Sequence, residues 1–116
     1  MRLHEAIDMA DRMRPNNVAL PDKIRCIWRL EREFSEMMRT EVPEWEIDDD
    51  DPELLIAPPH DQVYYMYLLP FIDFAQEEMD LYQVDSMAAN QILSEVKSMY
   101  RRGHRADTAT LKGVFI

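Results

Sequence analysis

Apolar residues recur along this chain at three- and four-residue steps in four separate stretches, and that spacing predicts helices. In residues 2–14 the apolar face is Leu3, Ala6, Ile7, Ala10 and Met13, opposite Glu5, Asp8, Asp11 and Arg12. Pro15-Asn16-Asn17 then closes the helix with turn chemistry. A second helix is expected from about Pro21, where a missing N–H costs nothing, with Asp22 favouring the positive end of the helix dipole. Its buried face is Ile24, Ile27, Trp28, Phe34 and Met38, and Cys26, Leu30 and Met37 form a second apolar strip. Arg25, Arg29, Arg32 and Arg39 fall on a third face.

The third stretch, Asp61 to Tyr82, opens on the continuous apolar run Val63–Ile72. Tyr64, Tyr67, Leu68, Phe71, Ala75, Met79 and Tyr82 repeat at helical spacing, so one helix is expected over 61–82. An apolar surface nearly all round places it at the centre of a bundle, with a kink at Pro70. After a break at Gln83–Asp85, the stripe Val84, Ala88, Ile92, Val96, Met99 and Tyr100 predicts a fourth helix, 86–102, stopped by Gly103. The short break makes 61–82 and 86–102 an antiparallel hairpin.

Between the second and third helices the pattern fails. Residues 41–60, EVPEWEIDDDDPELLIAPPH, hold four prolines and four consecutive aspartates. We expect an extended acidic arm with short strands at 45–47 and 53–56. Residues 104–116 lack a helical stripe and read as a C-terminal tail. The fold class is therefore all-α: a single helical domain over 1–103, about four helices, with the arm 41–60 inserted.

Length changes this picture little, since 116 residues suit one domain with a modest core. Two glycines argue against a hairpin-rich β fold and against a glycine-rich phosphate loop. One cysteine, Cys26, excludes an internal disulfide and reads as a small buried hydrophobe. The N-terminus lacks the apolar segment of a secretory signal. No apolar run approaches the roughly 20 residues needed to cross a bilayer, so no membrane partner is expected.

Charge changes it more. Residues 41–85 carry fourteen Asp and Glu and no Lys or Arg, whereas 1–40 and 86–116 are weakly positive, within a net charge of −10. The acidic total disfavours nucleic acid as the main ligand. The one-sign block favours association with a complementary surface.

Candidate chemistry is sparse. The run Asp48–Asp51 lacks the alternating oxygens and the glycine of a calcium loop. His4, His60 and His104 are scattered outside zinc spacings. No nucleophile-elbow pattern occurs, and Glu77-Glu78 point different ways on a helix. No catalytic, metal or cofactor site is expected. The candidate partner-binding residues are the arm's Trp45, Ile47, Asp48, Asp49, Asp50, Asp51, Leu54, Leu55 and Ile56, with Arg25, Arg29 and Arg32 on the second helix.

Three stretches carry a resemblance. They are LHEAIDMADRMRPNNVALPDKIRCIWRLEREF, then ELLIAPPHDQVYYMYL with Leu54-Leu55, Pro58-Pro59, Asp61, Tyr64 and Tyr67, then IDFAQEEMDLYQVDSMAANQILSEVKSMYRR with Ile72-Asp73, Glu78, Tyr82, Met87 and Asn90. In pattern and order the chain resembles the small head–tail connector, or neck, structural proteins of tailed bacteriophages and prophages. The resemblance implies a non-enzymatic helical protein of the virion, assembled in the host bacterial cytoplasm. Its partners would be itself, as a ring oligomer, and portal, capsid or tail proteins. A ring needs one patch to meet a different patch, and the acidic arm and arginine-bearing helix would supply such a pair. Two other readings compete. One is a small acidic regulator of a DNA-binding partner. The other is a DNA-packaging accessory protein touching DNA through Arg25, Arg29, Arg101 and Arg102.

Overall fold

The computed structural model describes the backbone of residues 1–41 and 51–112, and the side chains of 1–41 and 51–102. Among the described residues the chain is a small all-α bundle of four α-helices: α1 (Leu3–Met13), α2 (Leu20–Met38), α3 (Val63–Ala75) and α4 (Met79–Lys112). A single 3-10 turn, His60–Gln62, leads into α3. Trp45, Ile47, Asp48, Asp49 and Asp50, and the strand expected at 45–47, lie outside the described residues.

α3 is the central helix, packed against α1, α2 and α4. Its Val63, Tyr64, Leu68, Leu69 and Ile72 are buried. Around them close Leu3, Ile7 and Ala10 of α1, Ile24, Ile27, Leu30 and Phe34 of α2, and Ile92 and Val96 of α4. The Phe34 ring meets Tyr64 edge-to-face, with centroids 5.7 Å apart. The turn 14–19 is fixed by side chains. Asn16 Nδ2 donates to Asp11 Oδ1 at 2.8 Å, and Val18 N donates to Asn16 Oδ1. Lys23 Nζ reaches the same Asp11 oxygen at 2.8 Å and locks the start of α2 to α1.

The stretch 61–82 is not one helix. α3 continues through Pro70 but ends at Ala75. Glu78 N donates to Asp73 O and Glu77 N to Phe74 O, while Glu77 takes a left-handed φ of 60°. This is a Schellman end, with a carboxylate-bearing residue where glycine is usual. The fourth helix therefore starts at Met79, before the expected break at Gln83–Asp85. It passes straight through Gly103, so 104–112 is helical and not an irregular tail. The shift in register exposes Ala75 and Met79, which the longer helix would have buried, and Val84, which was expected on the buried stripe of the fourth helix.

The expected strand at 53–56 reduces to one antiparallel bridge, Arg2 with Glu53. Leu3 N donates to Pro52 O at 3.0 Å and Leu54 N to Met1 O at 2.9 Å. Asp51 Oδ1 accepts from His4 N at 2.9 Å, so this carboxylate caps α1 from 47 positions away. Leu54 and Ile56 are buried in the core at 4% and 6% exposure. They were expected as anchors for a partner; the hydrogen bonds that hold their backbone turn them inward instead.

Candidate functional site

Residues 51–56 are held by a polar node that hydropathy did not indicate. Glu31, on α2, is buried. Its Oε2 accepts from Leu55 N at 2.8 Å, and its Oε1 accepts from the Tyr64 hydroxyl at 2.6 Å. The same hydroxyl accepts from Ile56 N at 2.9 Å. Burial raises the Glu31 pKa, opposed by these two donors. Burial and the facing carboxylate also raise that of Tyr64. Every polar atom here has a partner inside the fold, so the node is structural. Leu55 is half-buried against the core and Asp51 serves α1, which leaves the described end of the arm committed to folding.

A second buried cluster joins three elements. Arg14 follows α1, Asp73 is in the last turn of α3, and Asp85 is on α4. Arg14 Nη2 lies 3.0 Å from Asp85 Oδ2, and Arg14 Nε lies 3.4 Å from Asp73 Oδ1. Asp73 is fully buried, and neither of its carboxyl oxygens has a well-aligned hydrogen bond among the described residues. Burial and the adjacent Asp85 push Asp73 up to about 7, against the pull of Arg14.

The surface open to a ligand is elsewhere. A groove of about 560 Å³ runs between α2, α3 and α4. Tyr67, Phe71 and Phe74 of α3 and Tyr82 and Ala89 of α4 supply most of its apolar wall. Phe74 is 61% exposed and touches Tyr82, ring centroids 5.6 Å apart. Arg25 and Arg29 line the α2 side, with Asp22 and Cys26. Burial pushes the Cys26 thiol up to about 12, so it contributes as an apolar lining group. Arg25 pairs with Asp22 at 3.3 Å, both exposed, a contact of little energetic weight. Arg32 lies one turn on and stacks over Trp28 at 4.9 Å. Two of the three expected arginines thus share the groove, and the third is engaged by a neighbouring ring.

An unbroken helix over 61–82 hides the aromatic wall, because it places Phe74 and Tyr82 along one rod. They meet across the α3–α4 corner instead. Exposed Met79, Leu81, Val84 and Met87 extend apolar surface along the start of α4. Among the described residues no cluster of three or more His, Cys, Asp or Glu could hold a metal, and no helix is long and apolar enough to cross a membrane. Comparison with protein-family models, with curated proteins and with solved structures finds no match for this chain.

Proposed function

We propose that this chain is a non-enzymatic head–tail connector or adaptor of a tailed phage or prophage, working by oligomeric protein–protein assembly at the portal end of the capsid. The observation that carries this reading is the aromatic groove rimmed by Arg25 and Arg29, together with the exposed Phe74, Met79, Leu81, Val84 and Met87 beside it. Apolar surface of that extent, set among charges, is the usual mark of a protein interface. The resemblance in residue order supplies the biological setting: self, portal, capsid or tail proteins as partners, and the virion as the place of action.

The reading as an acidic regulator loses weight on this geometry. Of the fourteen acids in 41–85, Asp51, Glu53, Asp61, Asp73 and Asp85 are already paired within the chain. A carboxylate surface that mimics a phosphate track needs those groups free.

The test is reconstitution with the products of the neighbouring genes. Co-expression with the adjacent portal and tail-completion proteins should give a complex stable to gel filtration and visible as a ring by electron microscopy. A locus without phage morphogenesis genes, or portal particles that never retain the chain, would overturn the proposal.

A further inference from the structure

We infer that the groove between α2, α3 and α4 receives the Glu44-Trp45-Glu46-Ile47 segment of a second copy of this chain, an inference that rests on the assembly reading above. Three observations on this molecule point to that occupant.

The first is chemical fit. The groove offers an aromatic wall of Tyr67, Phe71, Phe74 and Tyr82, flanked by Arg25 and Arg29. Residues 42–50 read VPEWEIDDD, a tryptophan between two glutamates, followed by three aspartates and with no basic residue. An indole against aromatic faces, with carboxylates on either side meeting guanidinium groups, satisfies both halves of the site. A volume of about 560 Å³ accommodates an indole and its neighbours.

The second is the use of the remaining arm. Leu54, Leu55 and Ile56 are packed into their own core or against it, and Asp51 caps α1. Of the arm's larger apolar residues that leaves Trp45 and Ile47, which lie outside the described residues.

The third is reach. Trp45 lies four residues beyond Glu41, at most about 14 Å along an extended chain. The groove begins at Arg29, about 15 Å back along α2 from Arg39, and reaches Asp22 at about 26 Å. An extended chain from Glu41 therefore brings the backbone of the chain's own Trp45 no further than about the Arg29 end of the groove. A neighbour's does not face that limit. Segment into groove is a contact between unlike patches, the geometry that closes rings.

The experiment titrates a fluorescent peptide of residues 41–51 into the full-length chain and follows anisotropy. Saturable binding is expected, weakened about tenfold or more by Trp45→Ala in the peptide, as for a central aromatic anchor. Arg25→Glu with Arg29→Glu in the chain, both exposed positions, should weaken it similarly, with helical content unchanged by circular dichroism. Raising ionic strength should weaken it further. In sedimentation velocity, the Trp45→Ala chain and the Arg25→Glu/Arg29→Glu chain should each lose self-association. Mixed, they should form a dimer that grows no further, since only one intact groove faces one intact segment.

A peptide that does not bind, or binds the doubly substituted chain as well as the parent, overturns the inference. So does a Trp45→Ala chain that oligomerises like the parent. In either case retention of the chain by portal particles would leave the assembly reading standing. Peptide binding and loss of self-association on substitution, with no retention by portal particles, would uphold the groove and remove the connector role.

Discussion

Asp73 ties the end of α3 to a proton. Its carboxyl is buried beside Asp85, and its pKa in the folded chain is about 7 against an ordinary 3.8. A folded state that holds a proton more tightly than the unfolded chain loses stability as pH rises between those two values. The melting temperature should accordingly fall as pH is raised from about 4 to about 7. Asp73→Asn should flatten that slope, with Glu31, whose pKa is also raised, supplying the residue of it. Melts at unit pH steps check this, and an equally steep slope in the variant would refute it. Tyr64 makes a different kind of demand. Tyr64→Phe keeps the edge-to-face contact with Phe34 but leaves Glu31 Oε1 and Ile56 N without their partner. Stranding buried polar groups should cost about 1–3 kcal/mol, read from the urea midpoint. None of this was visible in the sequence. Glu31 and Asp73 sit at positions that read as solvated or neutral on a helical wheel, and only the fold brings Tyr64 and Asp85 to them.

At the scale of the element, the helices themselves were legible because each has a strong apolar stripe. Their ends were not. α2 and α3 both stop on non-glycine residues in the left-handed region, Arg39 at φ 55° and Glu77 at φ 60°. Both carry the paired backbone bonds of a Schellman end: Thr40 N to Ser35 O and Arg39 N to Glu36 O in one, Glu78 N to Asp73 O and Glu77 N to Phe74 O in the other. With two glycines in the chain, both near its C-terminal end, the usual stop signal is missing where the helices stop. Apolar spacing carries on across Gln76–Glu78 because Met79 and Tyr82 happen to extend the α3 register. The groove inherited that error, since it exists only where the corner folds Tyr82 back onto Phe74. Glu77→Gly should relieve the left-handed penalty and raise stability by about 1 kcal/mol, seen as a higher denaturant midpoint with an unchanged slope. A lower midpoint would mean that the Glu77 side chain stabilises the corner in some other way.

Across the whole molecule, the arm divides at Asp51. Residues 51–56 belong to the domain, through the cap on α1, the bridge of Arg2 with Glu53 and the Glu31 node. Replacing 42–50 with a glycine–serine linker of equal length should preserve helicity and a single cooperative melt, measured by circular dichroism. Leu54→Ala, at 4% exposure, should instead cost about 2–4 kcal/mol by leaving a cavity. The sequence identified the arm as distinct from the bundle but could not divide it. Proline and aspartate density marks both halves alike, whereas the division depends on hydrogen-bond partners 24 and 47 positions away.

The long-distance cap on α1 also bears on synthesis. During translation α1 is made before the groups that complete its N-terminus, Asp51 and Pro52, which follow tens of residues later. Isolated helices of 11 residues are marginal in water. α1 thus depends on later-made residues for part of its stability. Until Leu54, Ile56 and α3 arrive, Leu3, Ala6 and Ile7 have only α2 to pack against, and a ribosome stalled before Asp51 would leave them partly open to proteases and chaperones.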